Sequence, residues 1–204
     1  MRTSGWIKLL ACITAVAAGA ACSGGNGDDQ HPQCSDGIDN DGDGQTDCAD
    51  RDCKEGEPAL CPTPAGDLCG TSAIAIAALP FSDETHTLCT LSHDYSADDI
   101  NCLDYGGAEV VYRYTAPAAQ TLEVTLAALD TDVDGGFMDM VLSASDVCPA
   151  GDTFDQCLAS EDSEIGEPEV LQVTLEAGQT VYIFGANYYS DECARFRLEA
   201  HLAP

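Results

Sequence analysis

Hydrophobic and polar residues alternate along three stretches of the chain. In "TLEVTL", Leu122, Val124 and Leu126 fall on one side of an extended backbone, with Thr121, Glu123 and Thr125 on the other. "VLQVTL" repeats the pattern with Leu171, Val173 and Leu175, and "ARFRLEA" sets Phe196 and Leu198 against Arg195, Arg197 and Glu199. A period of two is the signature of a strand with one buried face. "VVYRYT" (110–115) and "VYIFGA" (181–186) are β-branched and aromatic, which predicts central strands. "APAAQ" after Thr115 and "EAGQ" after Leu175 supply turns. "SAIAIAALP" (72–80) is the one helix-like run, with an edge strand as its alternative. Short strands, frequent turns and no long helical period predict a mainly β chain folded as an antiparallel β-sandwich.

The pattern holds only from Leu68 onward. Residues 1–21 read as an export signal: Arg2 and Lys8 flank the start, Ile7 to Ala18 is apolar, and Gly19-Ala20-Ala21 is small. Small residues directly before Cys22 resemble the cleavage site of a bacterial lipoprotein, which implies lipidation at Cys22. Ser23 in the next position resembles lipoproteins sorted to the outer membrane. Residues 22–33 are polar and Gly-rich, as a flexible tether is. Residues 34–61 form a small Asp- and Cys-rich module whose only large apolar residues are Ile38 and Leu60. Such a segment cannot build a core, so cross-links or a metal have to order it. Residues 62–66 are a stiff linker, and residues 67–204 make the β-sandwich domain.

Twelve cysteines include Cys12 in the signal and Cys22 at the anchor, leaving ten. An even number in an exported chain predicts disulfides, and no C-x-x-C pair offers zinc a standard site. Cys148 and Cys157 bracket a short turn and are the first expected pair.

Charge changes the picture most at "DNDGDGQTDCADRDC". Asp39, Asp41, Asp43, Asp47, Asp50 and Asp52 crowd into this stretch, with Arg51 its one cation. Two carboxylates about 5 Å apart at an effective dielectric near 20 repel by about 3 kcal/mol, so a hard cation would relieve the loop. Counting from Asp39, side-chain oxygens fall where a calcium loop needs them at Asp39, Asp41, Asp43, Asp47 and Asp50. Gly44 takes the turn and Gln45 offers its backbone carbonyl. Asp36 and Asp52 are reserve ligands. The expected cofactor is Ca²⁺, since zinc or copper would ask for His, Met or free thiolate. "DTDVDGGFMD" is a weaker match through Asp130, Asp132, Asp134 and Gly135, and reads better as an acidic turn. Asp94, Asp98, Asp99 and Asp104 likewise read as an acidic loop before a strand.

Two family resemblances follow from these residues. "CSDGIDNDGDGQTDCADRDC" resembles a thrombospondin type 3 calcium repeat and the short metal-binding motif of bacterial surface proteins. "DLCGTS", "GGAEVVYRYTAPAAQTLEVTL", "FMDMVLSAS" and "VTLEAGQTVYIFGANYYSDECARFRLEAHL" resemble the bacterial pre-peptidase C-terminal type domain. That resemblance implies a small β-sandwich serving as a binding or accessory module.

A formal charge of −29 repels nucleic acid and anionic lipid surfaces, leaving membrane attachment to the lipid anchor alone. No G-x-S-x-G, H-E-x-x-H or P-loop is present, and the Ser92-His93-Asp94 neighbours are a poor triad. The expectation is a non-enzymatic cell-envelope lipoprotein of the outer membrane or cell surface. It would act as a calcium-dependent binding or adhesion module toward an extracellular protein or carbohydrate. The alternatives are a structural envelope protein whose acidic segment is a metal-free spacer, or an accessory domain of a secreted hydrolase system.

Overall fold

The computed structural model describes residues 34–40, 46–70, 72–95, 106–130, 138–148, 157–189 and 194–204. Nine strands are assigned among them: β1 (Ile74–Ala75), β2 (Phe81–Asp83), β3 (Glu109–Thr115), β4 (Gln120–Ala128), β5 (Met140–Ser145), β6 (Ala159–Glu161), β7 (Glu169–Leu175), β8 (Thr180–Asn187) and β9 (Phe196–Leu202). They form a five-stranded sheet, β1-β3-β8-β5-β6, and a four-stranded sheet, β2-β9-β4-β7. Every pairing is antiparallel except β1 with β3, which is parallel. The helix-like run at 72–80 therefore resolves into a two-residue edge strand.

The alternating stretches behave as their pattern requires. Leu122, Val124 and Leu126 of β4 pack beside Leu171, Val173 and Leu175 of β7 in the core between the sheets. Phe196 and Leu198 join them from β9. The five-stranded sheet answers with Val110, Tyr112 and Tyr114 of β3, Leu142 of β5 and Ile183 of β8.

β3 and β8 lack alternation because both of their faces are covered. Val111 and Phe184 point away from the main core into a second cluster with Leu68, Cys69 and Tyr95. The cover is the segment around residues 64–70 together with Tyr95. It is fastened by Gly66, whose carbonyl accepts from Val111 N–H at 2.7 Å. Gly66 sits at φ +87°, and a Cβ there would lie 2.8 Å from a Val110 methyl.

The Gly106-Gly107 pair has a packing reason of its own. A Cβ on Gly107 would lie 2.5 Å from the Asn187 carbonyl oxygen and 2.7 Å from that of Tyr189. Those obstacles are backbone, so the β3 and β8 ends must part to admit one. Gly107→Ala should cost about 1–3 kcal/mol in urea unfolding. An unchanged midpoint would show that the ends are not held this tightly.

Candidate functional site

The acidic segment is built on cystines rather than on a hydrophobic core. Cys34 pairs with Cys53 and Cys48 with Cys61, so the two bridges interlace. Cys34, Cys53 and Cys61 are buried together, while Ile38 and Leu60 are 58% and 53% exposed. The two apolar side chains are thus more than half exposed and form no core for the segment.

Hydrogen bonds join the described parts of the acidic stretch. Gly37 N–H donates to Asp47 Oδ1 at 3.1 Å across ten residues. Asp36 Oδ1 accepts from Ile38 N–H at 3.0 Å and from the Asn40 amide at 3.3 Å. Asp47 has φ 51°, a left-handed conformation, and opens a short 3-10 turn, Asp47–Ala49. Asp50 is 98% buried and caps helix α1 (Arg51–Gly56). Its Oδ1 accepts from Asp52 N–H at 2.6 Å and from Cys53 N–H at 3.4 Å, satisfying free amides of the first turn.

Of the sequence-derived calcium ligands, Asp39, Asp47 and Asp50 are described. Asp41, Asp43 and Gln45 lie outside the described residues, as does Cys22. Asp47 and Asp50 each carry a carboxylate oxygen already engaged by backbone amides. No group of three or more potential metal ligands converges among the described residues.

α1 presents a second group of charges that the sequence did not announce. Arg51 and Lys54, three residues apart, lie on one helix face. The Arg51 guanidinium stacks 5.0 Å above the Tyr95 ring and pairs with Glu55 at 3.0 Å. Lys54 is 97% buried. Its Nζ lies 2.7 Å from Asp67 Oδ2, an ion pair without hydrogen-bond alignment, and donates to both Asp94 oxygens at 3.2 and 3.0 Å.

The contacts continue behind these two aspartates. Asp67 Oδ1 accepts from Ser92 N–H at 2.8 Å, and Asp94 N–H donates to Glu109 Oε1 at 2.7 Å. Glu109 Oε2 has no aligned donor and lies 3.4 Å from His93 Nδ1, which is 2.9 Å from the Gly107 carbonyl. Tyr95 OH accepts from Cys69 N–H at 2.8 Å.

Burial dominates the proton affinities here. It pushes the Glu109 carboxyl up to about 8, against the His93 ring and the Asp94 amide. It raises Asp94 to about 6 although Lys54 pulls the other way, and Tyr95 to about 12. The Glu109 carboxylate in turn raises His93 above its ordinary range.

Several expectations meet different partners. Cys148 bonds Cys69, not Cys157, because the 64–70 segment lies over the sheet face where β5 ends. Cys157 and Cys89 are also in disulfides. Asp94 is an ion-pair partner for Lys54, and Asp130 is held by Arg195 at 2.7 Å. Asp98, Asp99, Asp104, Asp132, Asp134 and Gly135 lie outside the described residues. Ser92, His93 and Asp94 bond in three different directions and make no triad. The missed residues are Lys54, Asp67 and Glu109. Lys54 left one trace in the sequence, as the only lysine apart from Lys8.

No family model matches the chain, and no curated protein does. Among solved structures it is similar to the pre-peptidase C-terminal domain of collagenase from Bacillus anthracis. The identity is 14% and the TM-score 0.39, over 63% of this chain and 93% of that one. A family 35 carbohydrate-binding module from an environmental isolate is 15% identical with TM-score 0.30, over 49% and 68% of the two chains. The K3 cleaved adhesin domain of Lys-gingipain from Porphyromonas gingivalis is 17% identical with TM-score 0.29, over 46% and 60%. At these scores the functional reading rests on the chain's own residues.

Proposed function

We propose that this chain is an exported, lipid-anchored binding protein of the cell envelope that carries calcium in its Asp-rich segment. Asp39, Asp41, Asp43, Asp47 and Asp50 would supply side-chain oxygens and Gln45 its carbonyl. The observation that carries the reading is the clasp from Gly37 N–H to Asp47 Oδ1, which brings the described ends of the acidic stretch together. The donors are all oxygen, the chemistry a hard cation selects. Asp50 has one oxygen on the α1 cap, so its contribution would come through the other. A segment whose only core is cystine gains order from any cation it binds.

Calorimetry and thermal melting with calcium test this directly. Calcium at about a hundred times its dissociation constant should stabilise the segment by about 2.7 kcal/mol. Asp41→Ala combined with Asp43→Ala should remove both the heat and the stabilisation. No heat at millimolar calcium would leave the metal-free spacer. Mass spectrometry of the mature N-terminus checks the anchor at Cys22, where an unmodified cysteine rules it out. The ligand of the sandwich would be an extracellular protein or a carbohydrate, and the chain has no catalytic role in this reading.

A further inference from the structure

Each sheet has two edge strands, and three of the four are short. β1, β2 and β6 have two, three and three residues. β7 has seven and closes the four-stranded sheet, paired with β4 alone. That pairing runs without a bulge from Leu175 opposite Gln120 to Glu169 opposite Leu126. A long edge strand is normally blunted by a bulge, a proline or charged side chains. Here Pro168 stands just before the strand, and the exposed residues within it are Val170, Gln172 and Thr174.

The hydrogen-bond register aims their backbone groups outward. Ala203 N–H donates to the Thr121 carbonyl and Leu129 N–H to the Arg195 carbonyl, so odd-numbered residues of β4 bond toward β9. Its even-numbered residues, Gln120 to Leu126, therefore bond toward β7, where they meet Leu175, Val173, Leu171 and Glu169. The N–H and C=O of Val170, Gln172 and Thr174 are left pointing off the sheet. No backbone partner meets them among the described residues. Two of the side chains are engaged on the sheet face, Gln172 with Glu123 at 2.5 Å and Thr174 with Thr121 at 3.2 Å.

Charge selects what pairs there. The chain has no lysine, arginine or histidine between Arg113 and Arg195. Exposed Glu161, Asp162, Glu164 and Glu167 lead into β7, and exposed Glu176 follows it. A second copy would bring the same acids to the same edge, whereas a cationic strand is attracted to it. We propose that β7 is a docking edge for an extended, basic segment of a partner protein, which joins the four-stranded sheet as a fifth strand. Val170, Gln172 and Thr174 supply the backbone pairing, and the flanking acids select lysine or arginine in the partner. The proposal rests on the binding role given above, names a protein segment as the ligand, and requires neither calcium nor the lipid anchor.

The test uses the purified chain in EDTA, with a synthetic peptide of alternating lysine and valine as the probe. Amide signals of Val170, Gln172 and Thr174 should shift and gain protection from exchange. Those of Leu171 and Val173, already bonded to β4, should move little. Gln172→Pro removes only an outward N–H, so the sheet should persist while binding weakens by about tenfold or more. The same peptide N-methylated throughout should weaken at least as much, and that comparison does not depend on the variant folding. Equal binding by the N-methylated peptide, or shifts confined to the acidic residues, would reduce the contact to charge attraction and overturn the proposal. Self-association of the chain through β7 would overturn it too. Binding to a glycan array with no response to the peptide overturns the docking edge and leaves the binding role in place.

Discussion

A Lys54→Ala chain is expected to lose about 3–5 kcal/mol of stability at neutral pH, the range for removing one partner of a buried ion pair. The side chain is 97% buried and is the cation between Asp67 and Asp94, so its loss leaves two carboxylates facing each other out of water. Part of the loss comes from the buried lysine stem, whose removal leaves a void. The cost should shrink toward pH 5, because burial already raises the Asp94 carboxyl and Lys54 no longer pulls it down, so Asp94 takes up a proton and the repulsion falls. Urea unfolding at pH 7 and pH 5 measures both effects. A change below about 1 kcal/mol at pH 7 would place Lys54 among exposed pairs of little consequence.

Replacing Cys34, Cys48, Cys53 and Cys61 together by serine should unfold residues 34–61 while the strands persist. The bridges close loops of 19 and 13 residues, each worth about 3 kcal/mol by loop entropy. Among the described residues of the segment, its large apolar side chains, Ile38 and Leu60, are exposed. The helix face bearing Arg51 and Lys54 would go with the bridges, so the loss should spread to Tyr95 and Asp94. An amide spectrum that keeps β3, β4, β8 and β9 but loses α1 is the expected outcome. Retention of α1 would mean that the Lys54 contacts alone can order it.

Both sheets were largely legible because strand alternation is a local signal. Leu122, Val124 and Leu126 reveal their shared face within six residues, and no distant partner is needed to see it. Central strands were legible in the same way, as Val111 and Phe184 break the alternation where a second layer covers them. The buried ion-pair group was not legible, because Lys54 meets Asp67 and Asp94 across 13 and 40 residues and each looks like an ordinary surface charge. Cysteine pairing was hidden for a similar reason. An even count sets an upper limit on the number of bridges but not their partners, and Cys148 reaches back 79 residues to Cys69 rather than forward to its neighbour. In the acidic loop the aspartates were legible as a group, but the duty of each was not. Asp50 fits a ligand position by count and caps a helix by geometry.

The interlaced cystines also decide what a protease can do to this chain. Cys34–Cys53 spans every peptide bond from residue 34 to 53, and Cys48–Cys61 spans every one from 48 to 61. No peptide bond between residues 34 and 61 is left without a bridge across it. A single nick anywhere in the acidic segment therefore leaves its two halves covalently joined, and whatever is attached upstream stays fastened to the sandwich until a reductant arrives.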